Sequence, residues 1–302
     1  MSDTDALQRC GLVAVVGPPN VGKSTLVNRL VGSKVSIVSP KVQTTRTRVM
    51  GIALVDATQI VFVDTPGIFA PKRRLERAMV RAAWDGAGDA DEIIFVVDAL
   101  KGIDDVSRAV ADKMRAAGQK PITVINKIDA VKRETLLGVA AQIAALGFDE
   151  QVFMVSAIGG DGVRDLLPVL ASRLPEGPWL FPDDQVSDMS ERLWAAEITR
   201  EQVFLQLHDE LPHSTAVTTE SWTEQGDGSL RVDQVVYVQR DGQKAIVLGA
   251  GGRRIKEIGS RARVELEKHL ERRVHLFLQV KVDPRWPDDR GQFSSIGLDY
   301  DS

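Results

Sequence analysis

Residues 17–24 read Gly-Pro-Pro-Asn-Val-Gly-Lys-Ser and match the pattern G-x-x-x-x-G-K-[S/T]. An apolar run at 12–16 precedes this stretch, and residues 25–31 can continue it as a helix. Glycines let the backbone wrap so that amide N–H groups meet phosphate oxygens, and the helix N-terminus adds a positive dipole end. The stretch therefore predicts a phosphate loop. Lys23 would reach the β- and γ-phosphates of a nucleoside triphosphate, and the Ser24 hydroxyl would bind Mg²⁺.

The first half of the chain alternates between short apolar runs and helix-length segments. The runs are rich in Val and Ile with little polar alternation, which is typical of strands buried on both faces of a sheet. They lie at 12–16, 60–63, 93–97, 122–125 and 152–155, with amphipathic segments such as 106–117 and 134–146 between them. This order predicts a doubly wound α/β domain.

A proline-rich stretch at 174–184 interrupts this pattern and predicts a stiff linker. Beyond it, the order changes to a long helix at 189–211, strands at 214–222 and 231–239, a short helix, a glycine loop, a helix at 253–272 and a strand at 274–282. This mixture predicts an α+β domain. We therefore expect a first domain at 1–174, a linker at 175–186, a second domain at 187–283 and a tail at 284–302.

The bulk composition is that of a globular protein, with 43% apolar and 26% charged residues among 302. The net charge of −4 gives no general sign of nucleic-acid binding, so a basic surface has to be local. There is a single cysteine, no recognisable signal peptide and no apolar stretch near the ~20 residues that span a bilayer. We expect a cytoplasmic protein.

Three short segments, each after a predicted strand, indicate which nucleotide binds. Asp64-Thr-Pro-Gly67 offers a carboxylate for Mg²⁺ and a glycine that can approach the γ-phosphate. In Asn126-Lys-Ile-Asp129, the Asp129 carboxylate can accept both N–H groups on the guanine edge, a donor pair that adenine lacks. Ser156-Ala157 can present a backbone N–H to guanine O6. Because ligands of open α/β sheets bind where the strands end, the set predicts a GTP site.

The predicted site residues follow from these segments. For GTP they are Gly17, Asn20, Val21, Gly22, Lys23, Ser24, Thr25, Asp64, Gly67, Asn126, Lys127, Asp129, Ser156 and Ala157. For the metal they are Ser24, Thr45 and Asp64, and for catalysis Lys23, Thr45 and Gly67.

Thr45 is included among these residues because 33–49 form a polar, basic segment typical of a switch loop. Residues 65–75 are the predicted second switch. We favour Thr45 over Thr44 for Mg²⁺. Arg46 and Arg48 could reach a phosphate, although we favour a surface or RNA-facing position for both. Ile68 follows the glycine where Ras-like enzymes place a water-orienting glutamine, so this side chain cannot orient the attacking water.

A second glycine loop, Gly249-Ala250-Gly251-Gly252, fits the GXXG of a KH module, which holds single-stranded RNA by its backbone. Residues 240–281 contain eleven Lys or Arg against five Asp or Glu, a local net charge of +6 in an acidic chain. The loop's own side chains are small, so backbone amides and the basic residues behind it must supply the contacts. The predicted RNA-binding residues are Gly249, Ala250, Gly251, Gly252, Arg253, Arg254 and Lys256.

These motifs together resemble the Era family of bacterial GTPases, which belongs to the translation-factor-related class and joins a P-loop GTPase domain to a C-terminal type II KH domain. Further matching stretches include residues 43–46 and 196–201. The resemblance implies slow GTP hydrolysis to GDP with Mg²⁺, and a K⁺ ion held with the help of Asn20. It also implies action in assembly of the 30S subunit through the 3′ end of 16S rRNA, with peripheral contact to the inner membrane. We expect a monomer.

Two other functions remain open from the sequence. The missing glutamine is compatible with an RNA chaperone in which GTP gates binding with negligible hydrolysis. A related GTPase acting on another RNA would carry the same motifs.

Overall fold

The computed structural model describes residues 8–69, 71, 74–207 and 211–291. The described residues fall into two compact units. The first unit comprises those of Met1–Ser36, Thr45–Lys72 and Glu76–Asp188, and the second comprises those of Ile37–Thr44, Arg73–Leu75 and Met189–Ser302.

The first unit is a six-stranded sheet flanked by helices. Its strands are β1 (Arg9–Val16), β2 (Val49–Val55), β3 (Thr58–Asp64), β4 (Glu92–Asp98), β5 (Ile122–Asn126) and β6 (Val152–Val155). Its helices are α1 (Lys23–Val31), α2 (Arg74–Gly88, which belongs to this unit from Glu76 onward), α3 (Asp105–Ala116), α4 (Arg133–Ala145) and α5 (Leu166–Arg173). The doubly wound α/β prediction is confirmed.

The sheet has the order β2-β3-β1-β4-β5-β6, with only β2 antiparallel to its neighbour. The strand order reverses at β1, and open α/β sheets bind ligands at the carboxyl ends of the strands next to such a reversal. The segments predicted to bind nucleotide all follow strands that end at this edge.

Strand β2 was missed in the sequence because it contains a glycine and adjoins the predicted switch loop. The structure explains why glycine occupies position 51. A Cβ there would lie 2.8 Å from a methyl group of Val31, so only glycine lets α1 pack this closely on β2.

The predicted linker is non-helical and runs along the first unit. Gln59 holds it, accepting hydrogen bonds from the backbone N–H of Leu180 (2.9 Å) and of Phe181 (3.0 Å). The backbone N–H of Ile52 also donates to the carbonyl of Val186 at 2.9 Å. The segment is therefore an ordered strap on this unit.

The second unit contains α6 (Glu191–Gln206), β7 (Thr215–Glu224), β8 (Leu230–Val238), α7 (Asp241–Leu248), α8 (Arg253–Leu270) and β9 (Val274–Val282). Strand β8 pairs antiparallel with β7 and parallel with β9. Helices α6 and α8 cover one face of this sheet with a core that includes Trp194, Ile198 and Leu266. The order α-β-β-α-α-β confirms the type II KH prediction.

One prediction for this unit needs correction. The helix expected at 189–211 spans only Glu191–Gln206, and residues 208–210 lie outside the described part. Within the tail expected from 284, Trp286 is buried. Residues 292–302 of that tail lie outside the described residues. In the described part of the chain, no helix combines the length and apolar character needed to cross a bilayer.

Candidate functional site

The phosphate loop connects β1 to α1 as predicted, and its backbone requires glycine at one end. Gly22 has a φ of 95°, and a Cβ there would lie 2.3 Å from Nδ2 of Asn126. Asn20 also lies in the left-handed region, with a φ of 63°. Any side chain at Gly22 would displace Asn126, so the loop and the strand-β5 segment depend on each other.

Lys23 begins α1 and is buried against this loop. Its ammonium donates hydrogen bonds to the carbonyls of Gly17 (3.2 Å) and Pro18 (3.0 Å). Burial lowers the pKa of Lys23 to about 8, and the negative charge of Asp64 partly offsets that effect. A bound triphosphate would replace the lost solvation of this ammonium, which fits the predicted phosphate contact.

The residues predicted to hold Mg²⁺ come together. The hydroxyls of Ser24 and Thr45 lie 2.8 Å apart, whereas the Thr44 hydroxyl bonds to that of Ser39 at 2.6 Å. The structure thus places Thr45 rather than Thr44 at Ser24. Asp64 is fully buried, and neither of its carboxylate oxygens accepts a hydrogen bond from the residues that the structure describes.

Burial raises the pKa of Asp64; the nearby Ser24 hydroxyl, which does not meet hydrogen-bond geometry, and the Lys23 charge offset only part of the shift. A buried carboxylate without hydrogen bonds is costly unless a cation approaches it. The described residues contain no cluster of three or more His, Cys, Asp or Glu side chains for a metal. This donor set of hydroxyl and carboxylate oxygens fits a Mg²⁺ ion that takes its remaining ligands from phosphates and water.

Gly67 lies against the phosphate loop. A Cβ on Gly67 would be 2.9 Å from Cα of Pro19, and the next residue, Ile68, donates its N–H to the carbonyl of Gly17 at 3.2 Å. The Ile68 side chain is buried in the core of the first unit. A buried apolar side chain cannot orient an attacking water by hydrogen bonding. In the predicted second switch, residues 70, 72 and 73 lie outside the described part of the chain.

Asn126 joins three loops of the site through one buried amide. Its Nδ2 donates to the carbonyl of Val21 at 2.8 Å, in the phosphate loop. Its Oδ1 accepts the backbone N–H of Lys127 (2.8 Å) and of Ala157 (3.0 Å). The phosphate loop, the segment 126–129 and the loop after β6 are thus held in register by one side chain.

Lys127 makes a second link, through a residue that the sequence did not single out. Its ammonium donates to the carbonyl of Asn20 at 2.6 Å and forms an ion pair with Asp98 at 2.7 Å. Asp98 is the last residue of β4 and is buried. Like Asp64, Asp98 follows an apolar run at the end of a predicted strand, and this position could have identified it as a candidate site residue.

The remaining guanine-side residues lie at the same edge. Asp129 is exposed, so its carboxylate is accessible to a base. Ser156 is buried and its hydroxyl accepts the N–H of Gly159 at 3.0 Å. Ala157 is buried, and its carbonyl accepts a hydrogen bond from Arg29 at 3.2 Å. Thr25 lies in the first turn of α1.

The prediction that Arg46 lies at the surface is wrong. Arg46 lies three residues before β2, and only 6% of its surface is exposed. Arg48 is half-buried.

The second glycine loop separates α7 from α8. Gly249, Gly251 and Gly252 have φ values of 69°, 60° and 75°, and a Cβ on Gly249 would lie 2.8 Å from Cβ of Arg254. Ala250 and Gly251 are exposed, so the backbone of the loop is open to a ligand.

The three basic residues behind the loop differ in their surroundings. Arg253 and Lys256 are exposed at the start of α8. Arg254 is half-buried and donates to the carbonyl of Gln206, at the end of α6, at 3.3 Å. Arg254 thus has a contact within this unit, whereas Arg253 and Lys256 are exposed to solvent, with Nε of Arg253 donating to the carbonyl of Ala250 at 3.3 Å.

Two family models match the chain, one for each unit. A model described as a 50S ribosome-binding GTPase matches residues 12–127, and a KH domain model matches residues 210–287. The GTPase Era of Sinorhizobium medicae is 53% identical over 97% of this chain and 94% of its own length. The GTPase Era of Caulobacter vibrioides NA1000 is 50% identical over the full length of both.

Two solved structures are similar over nearly the whole chain. One is Era in complex with MgGDPNP and nucleotides 1506–1542 of 16S ribosomal RNA, and the other is an Aquifex aeolicus Era variant bound to GDP and AlF4⁻. Each has a TM-score of 0.91 and 38% identity, and covers 96% of this chain and 99% of its own. With both glycine loops in place and relatives matched end to end, this chain belongs to the Era family of GTPases.

Proposed function

We propose that this GTPase binds the 3′ end of 16S rRNA through its KH unit and acts in assembly of the 30S ribosomal subunit. The observation that carries the proposal is the presence in one chain of a complete guanine-nucleotide site and an open GXXG loop. A relative of the same architecture has been solved with MgGDPNP and a 16S rRNA segment. Nucleotide state would then control when the RNA is held and released.

In the proposed reaction, the phosphate-loop amides and Lys23 stabilise the negative charge of the β- and γ-phosphates. Ser24, Thr45 and Asp64 would hold Mg²⁺, which neutralises further charge on these phosphates when bound. Gly67 allows the second switch to approach the γ-phosphate. Asp129 selects guanine, while Asn126 and Lys127 keep the loops of the site in place.

Hydrolysis also requires that the attacking water be oriented, and Ile68 has no polar group that could do so. We therefore propose slow intrinsic hydrolysis stimulated by K⁺, with Asn20 as a ligand of that ion. Single-turnover hydrolysis in K⁺ and in Na⁺ tests this. A rate that is identical in the two salts would refute the K⁺ proposal.

The buried Ile68 also favours one alternative, a chaperone in which GTP gates RNA binding without appreciable hydrolysis. No turnover above the rate in buffer, in either salt, would establish that alternative. Turnover in either salt would exclude it.

The RNA target is tested separately by crosslinking the full chain in cells and sequencing the bound RNA. Recovery of the 3′ end of 16S rRNA supports the proposal. Recovery of another RNA in its place would indicate a related GTPase with a different target.

The resemblance also suggests a cytoplasmic monomer with peripheral contact to the inner membrane. Light scattering of the purified chain tests the monomer. Flotation with vesicles of anionic phospholipid tests the membrane contact, and a protein that stays in the pellet fraction would argue against it.

A further inference from the structure

The middle of the predicted switch loop is part of the second unit. Residues Ile37–Thr44 group with the KH unit rather than with the nucleotide-binding unit. The side chain of Ile37 is buried in the KH core beside Trp194 and Ile198. A loop that only closes over a phosphate would not need a side chain in the KH core, so this placement indicates a second role for the segment.

Polar groups of α6 then fix the backbone of this segment at both ends. The Glu201 carboxylate accepts the N–H of Val38 at 2.8 Å. At the other end, the Arg200 guanidinium donates to the carbonyl of Thr44 at 2.7 Å. Both side chains are buried, with Arg200 2% and Glu201 4% exposed.

Arg200 is itself held in place by Glu197, one turn earlier on α6. Nε of Arg200 donates to Oε1 of Glu197 at 2.6 Å, and Nη2 donates to Oε2. A buried ion pair adds little to stability, because desolvation of the two charges offsets their attraction. The pair does fix the direction of the guanidinium, and the guanidinium holds the Thr44 carbonyl.

The segment between the two anchors is braced internally. The Thr44 hydroxyl donates to the carbonyl of Lys41 at 2.8 Å and lies 2.6 Å from the Ser39 hydroxyl. Because the peptide bond is planar, fixing the Thr44 carbonyl also fixes the N and Cα atoms of Thr45. Only the φ and side-chain angles of Thr45 then remain to place its hydroxyl, which lies 2.8 Å from that of Ser24.

We propose that Arg200, oriented by Glu197, is a positioning residue that sets the Thr45 hydroxyl at Ser24 through the Thr44 carbonyl, and so favours the triphosphate-bound state. The inference rests on the proposed Mg²⁺ roles of Ser24 and Thr45. It makes the KH helix α6 a determinant of Mg²⁺ and GTP affinity. GDP binding needs no contact from Thr45 and is unaffected.

The test uses the full chain with fluorescent GDP and a fluorescent non-hydrolysable GTP analogue, each titrated at several Mg²⁺ concentrations. The double variant Arg200→Met with Glu197→Gln removes both charges, so neither is left buried alone. A hydrogen bond from a charged donor corresponds to roughly a tenfold change in affinity. We expect the GTP-analogue affinity to fall about tenfold and the half-saturating Mg²⁺ concentration to rise similarly, with GDP affinity within about twofold.

A second, more conservative variant keeps the inference testable if the double variant does not fold. Arg200→Lys keeps a positive charge beside Glu197 but lacks the forked guanidinium that reaches Thr44 as well, so it should show the same selective loss.

The matched control is Thr199→Val on the same helix. Its hydroxyl donates to Gln234, on strand β8, at 2.6 Å in the interior. This variant removes a buried hydrogen bond of α6, and we expect unchanged affinity for both nucleotides.

Two results would overturn the inference. One is a folded Arg200 variant with a GTP-to-GDP affinity ratio and a Mg²⁺ dependence equal to those of the parent. The other is the same selective loss in Thr199→Val, which would show that any weakening of α6 has this effect. A parent protein that binds the analogue without Mg²⁺ dependence would instead refute the proposed metal roles, and the inference with them.

Discussion

Replacing Asn126 with alanine should disconnect the three loops of the nucleotide site. Asn126 makes three hydrogen bonds, at 2.8, 2.8 and 3.0 Å, to Val21, Lys127 and Ala157. At about 1 kcal/mol each, their loss corresponds to about 3 kcal/mol. In the variant, part of the binding free energy of GDP must order these loops, so we expect the GDP affinity to fall about 100-fold.

The assay is equilibrium titration with fluorescent GDP, and the matched control is Thr123→Val. Thr123 lies on the same strand and is equally buried, and its hydroxyl donates to the carbonyl of Phe148 at 2.9 Å. Its removal also weakens the interior around β5 but leaves the loops connected. We expect GDP affinity within about twofold of the parent for this control.

The isosteric variant Asn126→Asp tests the amide donor. It keeps an oxygen that can accept from Lys127 and Ala157, but it places a buried carboxylate oxygen against the Val21 carbonyl, where two acceptors repel each other. Its GDP affinity should therefore fall at least as far as that of Asn126→Ala. The reasoning is refuted if Asn126→Ala binds GDP within about threefold of the parent, or if Thr123→Val loses as much.

Three further predictions concern the base, the RNA loop and pH. Asp129→Asn should shift preference from guanine toward xanthine nucleotides in competition binding, and unchanged GTP affinity would contradict the guanine assignment. Changing Ala250 and Gly251 together to Asp should weaken binding of single-stranded RNA and leave GTP binding intact, as filter binding and titration would show; equal RNA affinity would exclude the loop. Burial lowers the pKa of His269, which stacks on Trp194 at 3.8 Å between ring centroids. The folded state therefore binds a proton less readily than the unfolded state, so His269 should reduce the stability of the KH unit as the pH falls below about 6.5. Thermal unfolding followed by tryptophan fluorescence should show a smaller pH dependence in His269→Phe, and an unchanged one would refute this reasoning.

Local sequence was sufficient for the elements whose chemistry is local. Strands β1 and β3 to β6 were predicted because strands buried on both faces are continuous apolar runs. The glycine loops were predicted because their residue types are required by the backbone, as at Gly22 and Gly249. Strand β2 was missed because Gly51 weakens the strand pattern, and its reason, close packing of Val31, is a contact across the fold.

The same division holds for the site. The sequence by itself was enough to predict the groups proposed to bind the nucleotide, namely Lys23, Ser24, Asp64 and Asp129, because binding chemistry fixes residue type and position within a motif. Only the tertiary structure placed Asp98 against Lys127, buried Arg46 and turned Arg254 toward α6. It also placed Ile37 in the KH core. These arrangements depend on which segments, distant in sequence, pack together in the folded protein. Hydrogen bonds between such segments produce no periodic pattern in the sequence.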